Sequence, residues 1–257
     1  MLYYQEFGNQ NAPLIVFLHG GGVSGWMWEK QVQYFQNYYC IVPDLPEQGK
    51  SAGEGPFSIQ KSAEQINQLI RQKASGQKVI VIGFSLGAQV AIQMLSLDAK
   101  LIDYAIINSA LVLPSPLIKK FIKPIMKLTY PLIKNKSFSK LQAKSLYIDE
   151  NNFERYYNES STINLHTLTR ILEENMSFTL PEQFSKAKAK ILVTVGEKEK
   201  AMIKKSTFKI IESNPNCTGI ILSNIGHGLS MANPTYFNQM IEKWICHGSL
   251  PKESKQI

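Results

Sequence analysis

The stretch Val79-Ile80-Val81-Ile82-Gly83-Phe84-Ser85-Leu86-Gly87-Ala88-Gln89-Val90 changes character at its centre. A run of four β-branched residues, suited to a buried strand, stops at Gly83-Phe84-Ser85-Leu86-Gly87, and a helix-like apolar pattern follows. A serine set between two glycines at such a junction is either an ordinary turn residue or a nucleophile held out from the backbone. G-x-S-x-G between a strand and a helix is the context a nucleophile elbow needs. The glycines permit the tight turn and let the following helix pack close. The helix N-terminus then aims backbone N–H groups, that of Leu86 among them, at a developing oxyanion. With strand and helix on either side, the nucleophile reading of Ser85 is preferred.

Working outward, runs of the same kind recur at Leu14 to Leu18, Tyr39 to Val42, Tyr104 to Ile107, Ile191 to Val195 and Gly219 to Leu222. Their continuity suits strands buried on both faces of a parallel sheet. Amphipathic patterns lie between most of them, at Trp26 to Phe35, Ser58 to Lys73, Leu86 to Leu97, Met202 to Ile211 and Tyr236 to Ile245. Strand alternating with helix predicts an α/β fold with a mostly parallel, doubly wound sheet. Residues 113–181 break the rhythm with helical patterns, prolines and no strand, which divides the chain into a core of residues 1–112 and 182–257 and a helical insertion. The polar tail, Gly248 to Ile257, is expected to be mobile.

The chain of 257 residues is 44% hydrophobic, which fits one large globular domain. No apolar window is long enough to span a bilayer, and Met1 to Phe7 does not read as a signal peptide. Cys40, Cys217 and Cys246 are too scattered for a disulfide framework or a zinc site; three buried thiols in a reducing cytoplasm are expected. The net charge of +8 is local. Residues 113–144 hold eight lysines (119, 120, 123, 127, 134, 136, 140 and 144) and no acid, which argues against a general nucleic-acid surface.

A serine hydroxyl needs a base. Of four histidines, His227 lies in a glycine-flanked loop after the last apolar run and is the expected base, within hydrogen-bond reach of Ser85. His166 and His247 read as surface or packing residues. His19 ends a strand in His19-Gly20-Gly21-Gly22 and reads as a brace for that loop. The glycine run is similar to loops that supply a second oxyanion donor; Gly21 N–H is expected in that role, with Gly22 as the alternative. The carboxylate behind the base belongs after Ile191 to Val195, where both Glu197 and Glu199 stand.

Taken together these segments resemble the α/β-hydrolase superfamily, in its cap-containing branch of small esterases and related hydrolases. Val42-Pro43-Asp44-Leu45-Pro46-Glu47-Gln48-Gly49-Lys50-Ser51 is similar to that family's P-D-x-x-G-x-G-x-S loop, with Glu47-Gln48-Gly49 where the family commonly has Gly-His-Gly. The resemblance covers about Phe7 to Trp244. The family's G-x-x-D segment implies Glu199 as the acid, in the order Ser85, Glu199, His227, and it implies that the insertion is a cap. It further implies hydrolysis of a small carboxylic ester without metal or organic cofactor. Amide, thioester or carbon–carbon cleavage on the same triad remains open, as does a non-hydrolytic ligand receptor. Within the insertion, Leu117, Ile118, Phe121, Ile122, Ile125, Met126 and Leu132 fall on one helical face and lysines on the other, with Pro124 and Pro131 expected to kink or break the helix. The preferred reading is an apolar face covering the site; the alternative is contact with an anionic membrane surface.

Overall fold

The computed structural model describes residues 2–114, 116–250 and 255–257; the side chains of residues 116–120, 255 and 256 lie outside that description. Eight strands form one sheet: β1 (Tyr4–Phe7), β2 (Leu14–Leu18), β3 (Tyr39–Pro43), β4 (Val79–Phe84), β5 (Tyr104–Asn108), β6 (Lys190–Gly196), β7 (Cys217–Leu222) and β8 (Lys255–Gln256). Their order is β1-β3-β2-β4-β5-β6-β7-β8. The six from β2 to β7 run parallel, and β1 and β8 pair antiparallel at the two edges.

The helices are α1 (Glu29–Tyr34), α2 (Ile59–Lys73), α3 (Leu86–Leu97), α4 (Pro116–Thr129), α5 (Lys136–Ser145), α6 (Glu150–Thr162), α7 (Leu165–Ser177), α8 (Ala201–Ser213), α9 (Leu229–Ala232) and α10 (Pro234–His247). Strand periodicity sorts side chains into two cores. Leu14, Val16 and Leu18 of β2 join Ile66 of α2, Val90 of α3 and Ile210 of α8 on one face. Ile15 and Phe17 join Trp28, Phe237 of α10 and Trp244 on the other. Burial on both faces is why the parallel strands read as unbroken apolar runs.

Helices α4 to α7 follow β5 and precede β6. Pro124 does not end α4, which runs on to Thr129 and gives way to a 3₁₀ turn over Tyr130–Lys134, around Pro131. The expected burial of its apolar face is corrected. Ile122 is buried, but Phe121, Ile125 and Leu132 are exposed. Successive helical residues are turned by about 100°, so the line through Ile122, Met126 and Thr129 points elsewhere than the line through Phe121, Ile125 and Leu128. The apolar arc of α4 is wider than the one stripe the fold can cover. Leu117 and Ile118 are outside the described side chains.

Two further expectations are corrected. The C-terminal tail returns to the sheet: β8 pairs with β7, and the Ile257 N–H donates to the Gly219 carbonyl at 3.0 Å, because the outer edge of β7 offers unpaired backbone groups. Cys246 is exposed rather than buried, since the last turn of α10 turns it outward beside Tyr38; Cys217 is half-buried and Cys40 buried.

Gly87 is where α3 meets the sheet. A Cβ there would collide with the carbonyl groups of Leu18 and His19, and one at Gly83 would collide with Gly87 itself. Backbone cannot move aside as a side-chain tip can, so Gly87→Ala is expected to cost about 1–3 kcal/mol and to lower the melting temperature by roughly 3–10 °C. Gly53→Ala, where the added carbon meets nothing within 4 Å, is the control and should leave the melt unchanged. Equal melts for the two variants would refute the close-packing account.

Candidate active site

β4 ends at Phe84 and α3 begins at Leu86, leaving Ser85 alone to make the turn. It does so at φ 52°, ψ −110°, a left-handed conformation that costs a non-glycine residue on the order of 1–3 kcal/mol. The turn is pinned on both sides. The Ser85 N–H donates to the Asn108 carbonyl of β5 at 2.9 Å, and the Ser85 carbonyl accepts from Ala88 N–H at 3.1 Å.

His227 stands between β7 and α9, followed by Gly228 at φ 117°. Its ring lies against Phe84, the residue before Ser85, with centroids 4.8 Å apart. Its Nδ1 is 3.0 Å from Glu199 Oε2. A carboxylate only accepts, so Nδ1 carries the proton and Nε2 is left as the basic nitrogen. The Glu199 side chain is almost fully buried, and its other oxygen accepts the hydroxyl of Ser109. Glu197 faces solvent and accepts the Asn224 N–H at 2.9 Å. The structure therefore brings Glu199, not Glu197, to His227.

The expected hydrogen bond between Ser85 and His227 is absent: among the described residues Ser85 Oγ is not bonded to the imidazole. Such contacts are often long in the free enzyme and tighten when substrate binds.

Leu86 N–H begins α3, and Gly21 N–H belongs to the loop after β2; neither donates to a protein acceptor among the described residues. The Gly22 N–H is taken by Gln48 Oε1 at 3.2 Å, so of Gly21 and Gly22 it is Gly21 whose amide stays open. His19 is fully buried. The Leu45 N–H donates to its Nε2 at 2.8 Å, so Nδ1 must be the protonated nitrogen that donates to the Gly20 carbonyl at 2.7 Å. Burial pushes its pKa down. It ties the glycine loop to the loop after β3 and has no hydrogen left for another role. His166 is exposed on α7 beside Arg170, and His247 is exposed at the end of α10.

A cavity of about 570 Å³ has Gly21, Ser85 and Leu86 in its floor. Its roof comes from the inserted helices, with Met126, Ile133, Phe138, Tyr156, Leu168 and Ile171 among its residues, and Lys200 is its one charged member. Polar clamps hold this roof to the core. Glu47 accepts Thr167 Oγ1 at 3.0 Å and pairs with Arg170 at 3.1 Å. Glu159 accepts Ser24 Oγ at 3.0 Å and Trp26 Nε1 at 2.8 Å, and burial raises its pKa. The departure at Glu47-Gln48 thus has a structural use: one side chain fastens α7 and the other fixes the Gly22 amide. No cluster of metal-ligating side chains occurs among the described residues.

Sequence reasoning missed Ser109, Asn108 and Gln48. Asn108 and Ser109 matter because β5 lies between β4 and β6, a fact of strand order. Gln48 carried a signal, since it stands where the resembled family's loop has a different residue.

Residues 13–130 match the family model of the alpha/beta hydrolase fold. Over 91 residues the chain is 37% identical to a pimeloyl-acyl-carrier-protein methyl ester esterase of Vibrio campbellii, covering 35% of this chain and 33% of that protein. Over 109 residues it is 35% identical to the magnesium-chelatase 30 kDa subunit of Rhodobacter capsulatus, covering 41% of this chain and 38% of that protein. The matched stretch thus spans about a third of these relatives' length. A solved alpha/beta hydrolase enzyme from a Medee basin deep-sea metagenome library superposes with a TM-score of 0.81 at 18% identity, over 98% of this chain and 96% of that one.

The loop-bracing arrangement can be checked directly. The imidazole nitrogen spectrum of His19 at pH 7 is expected to show a protonated Nδ1 and a bare Nε2. Because burial depresses its pKa, the spectrum should stay unchanged as pH falls through the ordinary histidine value of about 6.5. Ordinary titration at that pH, or the opposite tautomer, would contradict the geometry.

Proposed function

We propose that this chain, a member of the α/β-hydrolase superfamily, is a serine hydrolase of small carboxylic esters that works through Ser85, His227 and Glu199. The observation that carries the reading is the joint placement of Ser85, strained and lining a cavity under the inserted helices, with a half-buried His227 that packs on the adjoining Phe84 and pairs with the buried Glu199.

The chemistry follows from the parts. Ser85 Oγ attacks the ester carbonyl while His227 Nε2 takes the hydroxyl proton. Glu199 holds the ring in the required tautomer and stabilises the imidazolium. Ser109 acts as a positioning residue by fixing the far oxygen of Glu199. The carbonyl oxygen, now an anion, lies between the Gly21 and Leu86 amides, which need no reorganisation to receive it. His227 returns the proton to the departing alkoxide, and the alcohol leaves. Water, deprotonated by the same nitrogen, then attacks the acyl-enzyme and releases the acid and free Ser85. No step requires a metal or an organic cofactor.

The roof of the cavity is mostly apolar, which supports an acyl group of short to medium length as the part bound there. Each methylene buried contributes about 0.8 kcal/mol, nearly fourfold in an equilibrium. The relatives include both a methyl ester esterase and a chelatase subunit, so the substrate class is argued from the cavity rather than from kinship. Three unpaired thiols are consistent with residence in a reducing compartment such as the cytoplasm.

A fluorophosphonate probe is expected to label Ser85 and to leave Ser85→Ala unmodified; labelling at a different serine would reassign the nucleophile. Glu199→Gln should lower turnover by about 10⁴, the scale set by loss of a triad acid, whereas Glu197→Gln should change it little. The reverse result would move the acid to Glu197. Across a series of acyl esters, kcat/KM should rise with chain length until the cavity is full and then fall. A flat profile from acetyl to octanoyl would show that the helical roof does not line the acyl site.

A further inference from the structure

We propose that the outer face of α4 and the 3₁₀ turn after it is a docking surface for an anionic lipid bilayer. Phe121, Ile125, Leu128 and Leu132 are 52%, 51%, 81% and 42% exposed; the first three, at spacings of four and three, follow one line of α4, and Leu132 stands out of the 3₁₀ turn after it. The exposure is concentrated: of the ten large hydrophobic residues exposed among the described residues, six lie between Phe121 and Tyr147. Scattered exposed leucines need no explanation, whereas a stripe standing out of one element does.

The charge around the stripe selects the partner. No aspartate or glutamate occurs between Asp103 and Asp149. Lys127 and Lys134 are exposed and have no carboxylate partner among the described residues, while Lys123 and Lys136 pair with Glu173 and Glu154; Lys140 and Lys144 stand apart, in a cleft with Asp149, Glu150 and Glu154. On the side of α4 toward α7, a cleft of about 410 Å³ gathers Lys123, Lys127, His166 and Arg170 with Glu173 as its one acid. A second copy of the same face would bring like charges together. An acidic protein would satisfy the lysines but would need a groove shaped for four protruding side chains. A bilayer with anionic headgroups meets both demands at once: hydrocarbon at the depth the stripe reaches, and negative charge where the lysines end. The inference does not depend on the hydrolytic reading of Ser85.

The test is flotation of the full chain with vesicles of phosphatidylcholine alone and with 30% phosphatidylglycerol, at low ionic strength. Binding is expected to the anionic vesicles, at least tenfold weaker to the neutral ones, and to weaken as salt is added. A lysine near such a surface contributes roughly fivefold, so Lys127→Gln with Lys134→Gln should weaken binding about 25-fold. Phe121→Ser with Leu128→Ser should weaken it at least tenfold while the melting temperature stays that of the parent. Should that pair unfold, Leu128→Trp provides the same readout: its added indole emission should shift to the blue and be quenched by brominated acyl chains. No preference for anionic vesicles would overturn the proposal. So would full binding by the Phe121→Ser, Leu128→Ser variant, or emission from the Leu128→Trp variant that vesicles leave unchanged. Capture of polyglutamate as strongly as of vesicles, indifferent to the apolar substitutions, would assign the face to an acidic polypeptide instead. Self-association in the ultracentrifuge that the serine variant abolishes would assign it to a second copy.

Discussion

Much of this molecule depends on one close approach, that of the first turn of α3 to the end of β2. With hydrogen for a side chain, Gly87 lets the helix backbone come against the carbonyl groups of Leu18 and His19. That contact fixes where α3 starts, and the start of α3 leaves a single residue, Ser85, to reverse the chain from β4. The left-handed backbone of Ser85 is the consequence. Its strain is sustained because Asn108 holds the amide on one side and α3 holds the carbonyl on the other. The same approach sets the His19–Gly20–Gly21 loop beside the helix N-terminus, so the Gly21 and Leu86 amides border one space. Side-chain volume at residue 87 would disturb turn and amides together.

The second dependence is on strand order. In the parallel sheet the carboxyl ends of β4, β5 and β6 lie side by side, and ligand sites in open α/β sheets form outside such ends. Ser85, Ser109 and Glu199 follow those three strands in turn, and His227 follows β7. Residues far apart in the chain thereby meet with no long side chain spanning the gap. Burial of Glu199 has a cost that its two partners offset: an unpaired carboxylate would be poorly tolerated there, and Ser109 and His227 take one oxygen each.

Particular residues show why some of this was legible in the sequence and some was not. The strands announced themselves because burial on both faces demands unbroken apolar runs, and Gly83-Phe84-Ser85-Leu86-Gly87 was readable because each residue answers a local backbone requirement. Glu199 against Glu197 was a matter of family resemblance, since alternating acids in an extended stretch look alike until the loop turns one inward. Ser109 had no local mark: its neighbour is 90 positions away and is reached through sheet order. The edge strands β1 and β8 were hidden because they are short and neither carries a β-branched run; β1 in addition is largely exposed. Cys246 was misjudged because apolar neighbours in sequence do not decide which way the last turn of a helix points.

The face of α4 shows a more general limit. Helical periodicity tells which residues share an arc, and it assigned Phe121, Ile122, Ile125 and Met126 to one face. It does not tell how much of that arc the protein can cover. A helix lying across the mouth of a cavity covers a stripe one residue wide, here the buried Ile122 and the half-buried Met126 and Thr129 that line the cavity. An arc wider than the stripe leaves a second line of apolar side chains facing out, and such a line has a solvation cost whichever residues compose it. A chain with no use for the outer line could hold the same roof with polar residues at 121, 125 and 128, because none of the three reaches the cavity. Their presence beside the unpaired Lys127 and Lys134 is what the proposed docking to a surface both anionic and apolar would use, while the opposite face of the same roof is turned toward Ser85.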